Sequence, residues 1–397
     1  MTLEEHGSMA TLPMSPRSPT SIASAPVVVV GGGLSGLAAA HLLEQLGLDV
    51  LLLEARDRVG GRILGHAAQA GGHRFDLGPA WVWPAINPRL AKLLDALGLP
   101  LFAQHSAGAG LVETRAQSVQ RHATGFMQQP PSMRILGGTA GLTDALRAGL
   151  SRTRVLLGAR VSGLTAGAGG TVVVEYERAA QVERCVASSV VLAVPPRLLA
   201  ASLHWTPPLP QALTQRWQHA PTWMAGHAKL LAVYAAPFWR AAGLSGSAVS
   251  QAGPLAEVHD ACDAEGGQAA LFGFVGVSVE WRRRLGRDAL IAAALAQLAR
   301  LFGPEASAPL AVHLQDWAEE AYTATPADAQ PLSAHPDPID PGLSAPWSDR
   351  IHLAGSEFAA EFPGYLEGAV VAAERAVESL QRALSVRTSD GAGGTTD

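Results

Sequence analysis

The first legible pattern in the chain is a run of apolar β-branched residues, Val27 to Val30, with no polar position among them. Four such residues in a row predict a short strand covered on both faces, as in parallel sheets. A glycine-rich turn follows. The pattern then becomes helical from Ser35 to Leu46, with Gly47 as the stop signal. A second apolar strand, Val50 to Leu53, ends at Glu54, so the chain opens as strand, helix, strand. Further on, Thr171 to Tyr176 and Val182 to Val186 read as antiparallel strands, Val190 to Val194 reads as another apolar strand, and Met224 to Tyr234 is strand-like. Residues 288–302 place Leu290, Ala293, Ala294 and Leu298 on one helical stripe. A turn-rich segment, Pro326 to Pro346, precedes a strand from Ile351 to Ala354. A final helix starting near Gly364 carries Leu366, Val370, Ala373, Val377 and Leu380 at helical spacing. No internal repeat or coiled-coil period is found. The Ser-, Pro- and Thr-rich residues 1–25 read as a disordered leader and 385–397 as a disordered tail.

Composition narrows the class. Of 397 residues, 48% are hydrophobic and 16% charged, enough for a large core in two or three domains. The net charge of −5 comes without a basic block, which argues against nucleic acid or an anionic membrane as the main partner. Two cysteines, Cys185 and Cys262, stand far apart, so neither a disulfide framework nor a cysteine metal site is expected. No apolar run nears the ~18 residues that span a bilayer. A soluble cytoplasmic protein is the expectation. Only two of the 29 basic residues are lysines, Lys92 and Lys229. Background usage therefore does not readily account for a lysine in an apolar setting.

The strongest chemical motif is Gly31-Gly32-Gly33-Leu34-Ser35-Gly36, between the first strand and the first helix. Gly31 permits the tight turn, Gly33 lets backbone approach a pyrophosphate, and Gly36 allows close helix–strand packing. The amides at the start of the helix, around Leu34 and Ser35, would face the phosphates. Glu54 closes the second strand, where a carboxylate accepts hydrogen bonds from ribose hydroxyls. Together these features predict a dinucleotide-binding, Rossmann-like domain, and Glu54 disfavours a 2′-phosphate.

The continuation, Leu53-Glu54-Ala55-Arg56-Asp57-Arg58-Val59-Gly60-Gly61-Arg62, resembles the signature of the flavin-containing amine oxidase family. The likeness continues through Asp76-Leu77-Gly78-Pro79-Ala80-Trp81, Gly137-Gly138, Arg160-Val161, Ala354-Gly355-Ser356-Glu357 and Gly364-Tyr365-Leu366-Glu367-Gly368-Ala369. It implies an FAD cofactor, with Arg56 and Arg62 along its phosphates and Gly61 in close backbone approach. Gly78 to Trp81 would pass the flavin ring, and Val161 would read the adenine. Gly355, Glu357, Tyr365 and Leu366 would close over the flavin. Lys229, followed by Pro237-Phe238-Trp239-Arg240, sits where the family's lysine holds a water against flavin N5. On the residues alone, a lysine snorkelling from a strand end stays open. Trp317 resembles the tryptophan packed beside the flavin. Tyr365 resembles one wall of an aromatic cage around the substrate amine.

The resemblance also implies an α/β fold with a discontinuous FAD-binding domain, residues 26–100, 137–218 and 320–384. The second domain, 101–136 and 219–319, is expected to be built on a mixed sheet with helices. Three departures matter. Pro326 and Ala327 stand where covalent members carry a cysteine and the second cage tyrosine, so FAD is expected to be bound without a covalent bond. The second wall would be absent or come from Tyr322, Phe358 or Phe362. Only a short linker is expected between Trp81 and Gly137, giving an open cavity for a bulky amine. Third, Gly78 to Trp83 lacks a carboxylate-clamping arginine, which favours a plain amine over an amino acid. The activity implied is hydride transfer from the amine α-carbon to flavin N5, imine hydrolysis, and reoxidation by O₂ to give H₂O₂. A desaturase, dehydrogenase or isomerase acting on C–C bonds, or a non-catalytic flavin-binding partner protein, are the alternatives. No metal and no membrane anchor are expected, and the sequence leaves monomer and homodimer open.

Overall fold

The computed structural model describes residues 25–68, 73–126, 128–330, 335 and 337–392. Of the expected leader, only Ala25 falls within them. At the centre of one unit lies a five-stranded, wholly parallel sheet. Its order is Ile351–Leu353, Ser189–Leu192, Val27–Val30, Val50–Leu53 and Arg154–Leu156. The valine run needs cover on both sides, and it has it. On one face the helix Leu34–Gln45 sets Leu37 and Leu43 against Val27 and Val29, backed by the last helix through Val370 and Val377. On the other, Val28, Val30, Leu51 and Leu53 pack with Val161, Leu164 and Trp217. Each fully buried aliphatic side chain contributes about 1.5–3 kcal/mol. The second face is closed by a four-stranded sheet in the order Gln181–Ala187, Val172–Arg178, Arg160–Ala166, His204–Thr206. The antiparallel pair expected there is present, with Val174 opposite Cys185.

The second unit is a seven-stranded mixed sheet. Its order is Ala311–Asp316, Ala228–Tyr234, Ala269–Val275, Leu255–Asp260, Leu244–Ser250, Ala109–Glu113, Val119–His122. Strand periodicity decides what each face does. Leu230, Ala232 and Tyr234 turn toward Trp239, Leu290 and Leu298 in a core capped by the helix Arg287–Phe302. Leu231 and Val233 turn the other way, toward Phe75, Leu77, Ala80 and Phe272. Lys229 shares that second face.

Three expectations are corrected. The strand expected from Met224 begins at Ala228, because Met224 has φ of +62° and Thr222 to His227 form successive hydrogen-bonded turns. The stretch between Trp81 and Gly137 is more than a linker: it holds the helix Pro88–Ala96 and the last two strands at one end of the seven-stranded sheet, Ala109–Glu113 and Val119–His122. Those strands are too short to show a period. The last helix runs Leu366–Ala392, past the point where a disordered tail was expected at 385. Arg387 fastens it there by bonds to Ser188 O, Ser189 Oγ and Asp349 O. Among the described residues, no helix is long and apolar enough to cross a membrane.

Candidate active site

A cavity of about 730 Å³ runs from the glycine turn to the lysine-bearing face of the seven-stranded sheet. All the expected site residues line it except Gly36 and Glu357. At the turn the three glycines divide their work. A Cβ on Gly36 would stand 1.9 Å from Gly31 O, so this glycine serves packing. A Cβ on Gly33 would meet nothing closer than Gly61 Cα at 3.9 Å and would project into the cavity. That is the space a pyrophosphate needs. Gly33 caps the helix without any side-chain bond, which leaves the first amides at Leu34 and Ser35 unclaimed by a side chain.

Glu54 is buried and accepts the Gly32 amide at 2.6 Å and the Arg56 amide at 2.8 Å, one on each oxygen. A carboxylate has about four lone-pair sites, so capacity for two ribose hydroxyls remains. The free amides and the spare acceptor capacity of Glu54 therefore suit the pyrophosphate and ribose of a dinucleotide.

Two arginines tie this loop to the far wall. Arg56 reaches Glu320 at 3.3 Å and Thr323 Oγ1 at 2.7 Å, with Tyr322 under its guanidinium at 5.5 Å. Arg62 makes a two-pronged bond to Glu357 at 2.7 and 3.2 Å and reaches Ser356 Oγ and Trp223 O. Glu357 is fully buried behind the wall and meets the cavity through Arg62 and Ser356. Gly78 sits so close to Arg62 that a Cβ would lie 2.0 Å from Arg62 O.

Lys229 is the centre of the other end. It is 2% exposed. Its ammonium donates to Gly78 O at 3.0 Å and stands 3.9 Å above the Phe272 ring, with Phe274 at 5.8 Å. Burial pulls its pKa down to about 7, against a smaller upward pull from Asp76 and a further downward push from Arg134. Trp317 is buried beside it, its indole N–H donating to Leu77 O at 3.2 Å. The strand before Trp317 is anchored by the buried Arg282–Asp316 pair at 2.7 Å.

Tyr365 opens onto the cavity at the start of the last helix. Of the candidates for a ring opposite it, Tyr322 lines the cavity but lies under Arg56. Phe358 is in the core against Trp217 at 5.7 Å, and Phe362 packs edge-on to Tyr365 at 6.3 Å. The ring stacked on Tyr365 is His335, 4.7 Å away, and Trp223 lies beside both, 4.4 Å from His335 and 5.8 Å from Tyr365; no motif pointed to either. Gly364 makes the close approach possible, since a Cβ there would fall 2.4 Å from Trp223 Cβ. Phe274 and His227 are further lining residues that no motif marked. Neither cysteine lines the cavity.

The sequence matches the flavin containing amine oxidoreductase family over residues 115–381, and an NAD(P)-binding Rossmann-like domain over 29–97. The chain belongs to the flavin-containing amine oxidase family. It is thus an oxidoreductase of a family that acts on CH–NH bonds. Human flavin-containing amine oxidase B is 26% identical, the match covering 90% of this chain and 86% of that one. A Mycobacterium tuberculosis protein assigned as a flavin-containing monoamine oxidase is 27% identical over 90% of this chain and 97% of its own. Among solved structures, a putrescine oxidase variant superposes with a TM-score of 0.75 at 23% identity, covering 91% and 99% of the two chains. Cyclohexylamine oxidase from Brevibacterium oxydans gives 0.69 at 20% identity, covering 91% and 99%. At those identities the likeness establishes the fold, a Rossmann-like domain joined to a mixed-sheet domain.

Proposed function

We propose that this protein is an FAD-dependent oxidase of plain amines that holds its flavin without a covalent bond. The single observation that carries the reading is Lys229, a buried lysine on the cavity wall with no carboxylate bonded to it. When bound, FAD supplies the acceptor for a hydride from the amine α-carbon; the imine hydrolyses to carbonyl and ammonia, and O₂ takes the electrons as H₂O₂. Gly33 and the amides of Leu34 and Ser35 would receive the pyrophosphate, Glu54 the ribose, and the Val161 backbone the adenine. Arg56 and Arg62 would add positive charge beside the phosphates, each pre-aligned by its carboxylate partner. Gly78 to Trp81 would border the flavin ring. Leu366 would present the amide end of the last helix to the flavin, where a positive dipole favours an anionic reduced ring.

Lys229 would hold a water through its remaining N–H bonds while Gly78 O fixes its direction. Trp317 would exclude bulk water on one side. Tyr365 would border the amine on one side and keep its nitrogen lone pair directed along the cavity. Cys185 and Cys262 lie off the cavity, which supports non-covalent attachment.

The test is a panel of amines mixed without oxygen with the yellow protein, following loss of flavin absorbance. Bleaching by simple amines, with carbonyl product and H₂O₂ on return of air, is the expected result. No bleaching by any amine, with bleaching by an unsaturable C–C substrate, would transfer the protein to the desaturase class.

A further inference from the structure

We propose that Asp76 and Arg134, a buried and loosely joined pair behind the Gly78 segment, are positioning residues that set the charge on Lys229 when the reduced flavin meets O₂. This rests on the amine-oxidase reading and deepens it. Asp76 closes the strand Arg74–Asp76, two residues before the Gly78 carbonyl that holds the lysine. Arg134 lies on the strand Met133–Ile135 and is 2% exposed. The two side chains stand 3.9 Å apart, whereas the two-pronged Arg282–Asp316 pair closes to 2.7 Å. Asp76 Oδ1 takes the amide and hydroxyl of Thr139, and Arg134 donates to Cys262 O at 2.6 Å. Asp76 Oδ2 and Arg134 Nε have no hydrogen-bond partner among the described residues. A buried pair so poorly bonded does little for stability. Its charges, left unabsorbed by close partners, act on neighbours at longer range.

The neighbour is Lys229. Its ammonium form is favoured by the Asp76 carboxylate and disfavoured by the Arg134 guanidinium, on top of a larger penalty from burial. The other ionisable groups around it are engaged or pushed toward neutrality. The strand on one side, Ala269–Val275, has no ionisable residue. On the other side Gln315 stands opposite the lysine, and Asp316 is bound to Arg282. His227, two residues before the lysine, is pushed toward the neutral form by burial and by Arg282. His73 is pushed the same way by burial and by Arg134. Glu257 and His259, one strand further out, bond each other. Asp76 and Arg134 are thus the charges whose removal changes what Lys229 feels, and they act in opposite directions. A purely structural role would not produce that opposition.

The experiment needs no amine. FAD-loaded protein is photoreduced without oxygen and mixed with air-saturated buffer, and the return of flavin absorbance is timed. The series runs from about pH 5 to about pH 9, which brackets the lysine's pKa of about 7. In the wild type the rate should fall as pH rises through that value, and Lys229→Met should show no such step. Asp76→Asn keeps an acceptor for Thr139 but removes the charge, and should move the midpoint down by at least ~0.5 unit. Arg134→Met should move it up by a similar amount, and Arg134→Lys, which keeps the charge, should bring it back. Thr139→Val loosens Asp76 without altering either charge and should leave the midpoint in place. Midpoints that stay put, or that move the same way in Asp76→Asn and Arg134→Met, overturn the inference and leave the amine-oxidase reading standing. A step that survives in Lys229→Met overturns it too, because another group would then be titrating. Should one variant fail to fold or to bind FAD, the direction of the other's shift decides. If the reduced flavin does not return in air at any pH, the oxidase reading falls and takes this one with it.

Discussion

Lys229 and Gly78 meet across the two units of the fold: the lysine Nζ on the seven-stranded sheet donates to the Gly78 carbonyl at 3.0 Å. Gly78 is itself pressed against Arg62 O, and Arg62 is gripped by Glu357. The lysine is therefore aimed by a chain of contacts that ends in the nucleotide-binding loop.

Substituting Lys229→Met keeps bulk and apolar packing while removing the ammonium. FAD should stay bound, because no expected phosphate contact is lost. The proposed role places the effect in the flavin half-reactions, above all in reoxidation by O₂, where a positive charge stabilises developing superoxide. Chemically reduced enzyme should therefore regain its colour in air more slowly than the wild type. Return at the wild-type rate would remove Lys229 from the oxygen step, and loss of FAD would make it structural.

The same residue sets a pH dependence of stability. Its folded pKa is lowered from 10.5 to about 7 by burial. Between those values the unfolded chain holds the proton and the folded chain does not, so this residue makes stability rise with pH across the window. Below about 7 both states are protonated and the burial penalty is complete. Relative to wild type, Lys229→Met should gain most in Tm near pH 6 and least near pH 10. A Tm difference that does not change with pH would contradict this.

Glu54 has two tasks that one mutation pair can divide. Glu54→Ala should weaken FAD binding by roughly 1.5–3 kcal/mol, the scale of hydrogen bonds to a charged group. It also frees the Gly32 and Arg56 amides, so the apo protein should lose stability as well. Glu54→Gln keeps an acceptor and should lie between the two. Equal flavin retention after dialysis in all three proteins would mean that the carboxylate does not hold the ribose.

Arg62→Met strands the fully buried Glu357 carboxylate with Ser356 Oγ as its remaining side-chain partner. The expected cost is about 2–3 kcal/mol, toward the lower end for a broken buried pair because Arg62 keeps some solvent contact. Adding Glu357→Leu removes the stranded charge and should restore much of the Tm. A double variant less stable than Arg62→Met would show that Glu357 is not left uncompensated.

Acid precipitation of the yellow protein should leave FAD in the supernatant. Flavin fluorescence retained by the denatured chain would disprove non-covalent attachment.

The sequence determined the local parts. The valine run, the glycine turn, its helix and the Val50–Leu53 strand follow from backbone sterics and periodicity acting over a few residues, and their boundaries agree within one residue. Lys229 stood out because a lysine amid Leu230, Leu231 and Val233 is costly wherever the strand is buried. Tertiary structure decided what the lysine faces, since Gly78, Phe272 and Phe274 come from segments about 150 and 45 residues away in the chain. It stacked His335, rather than Tyr322, Phe358 or Phe362, on Tyr365 and set Trp223 beside them, through a gap that only Gly364 leaves open. It also turned Glu357 away from the cavity to hold Arg62. Short-range sterics and hydrophobic period act within the chain's own neighbourhood, whereas a counter-charge or facing ring depends on which distant segments the packed sheets bring together.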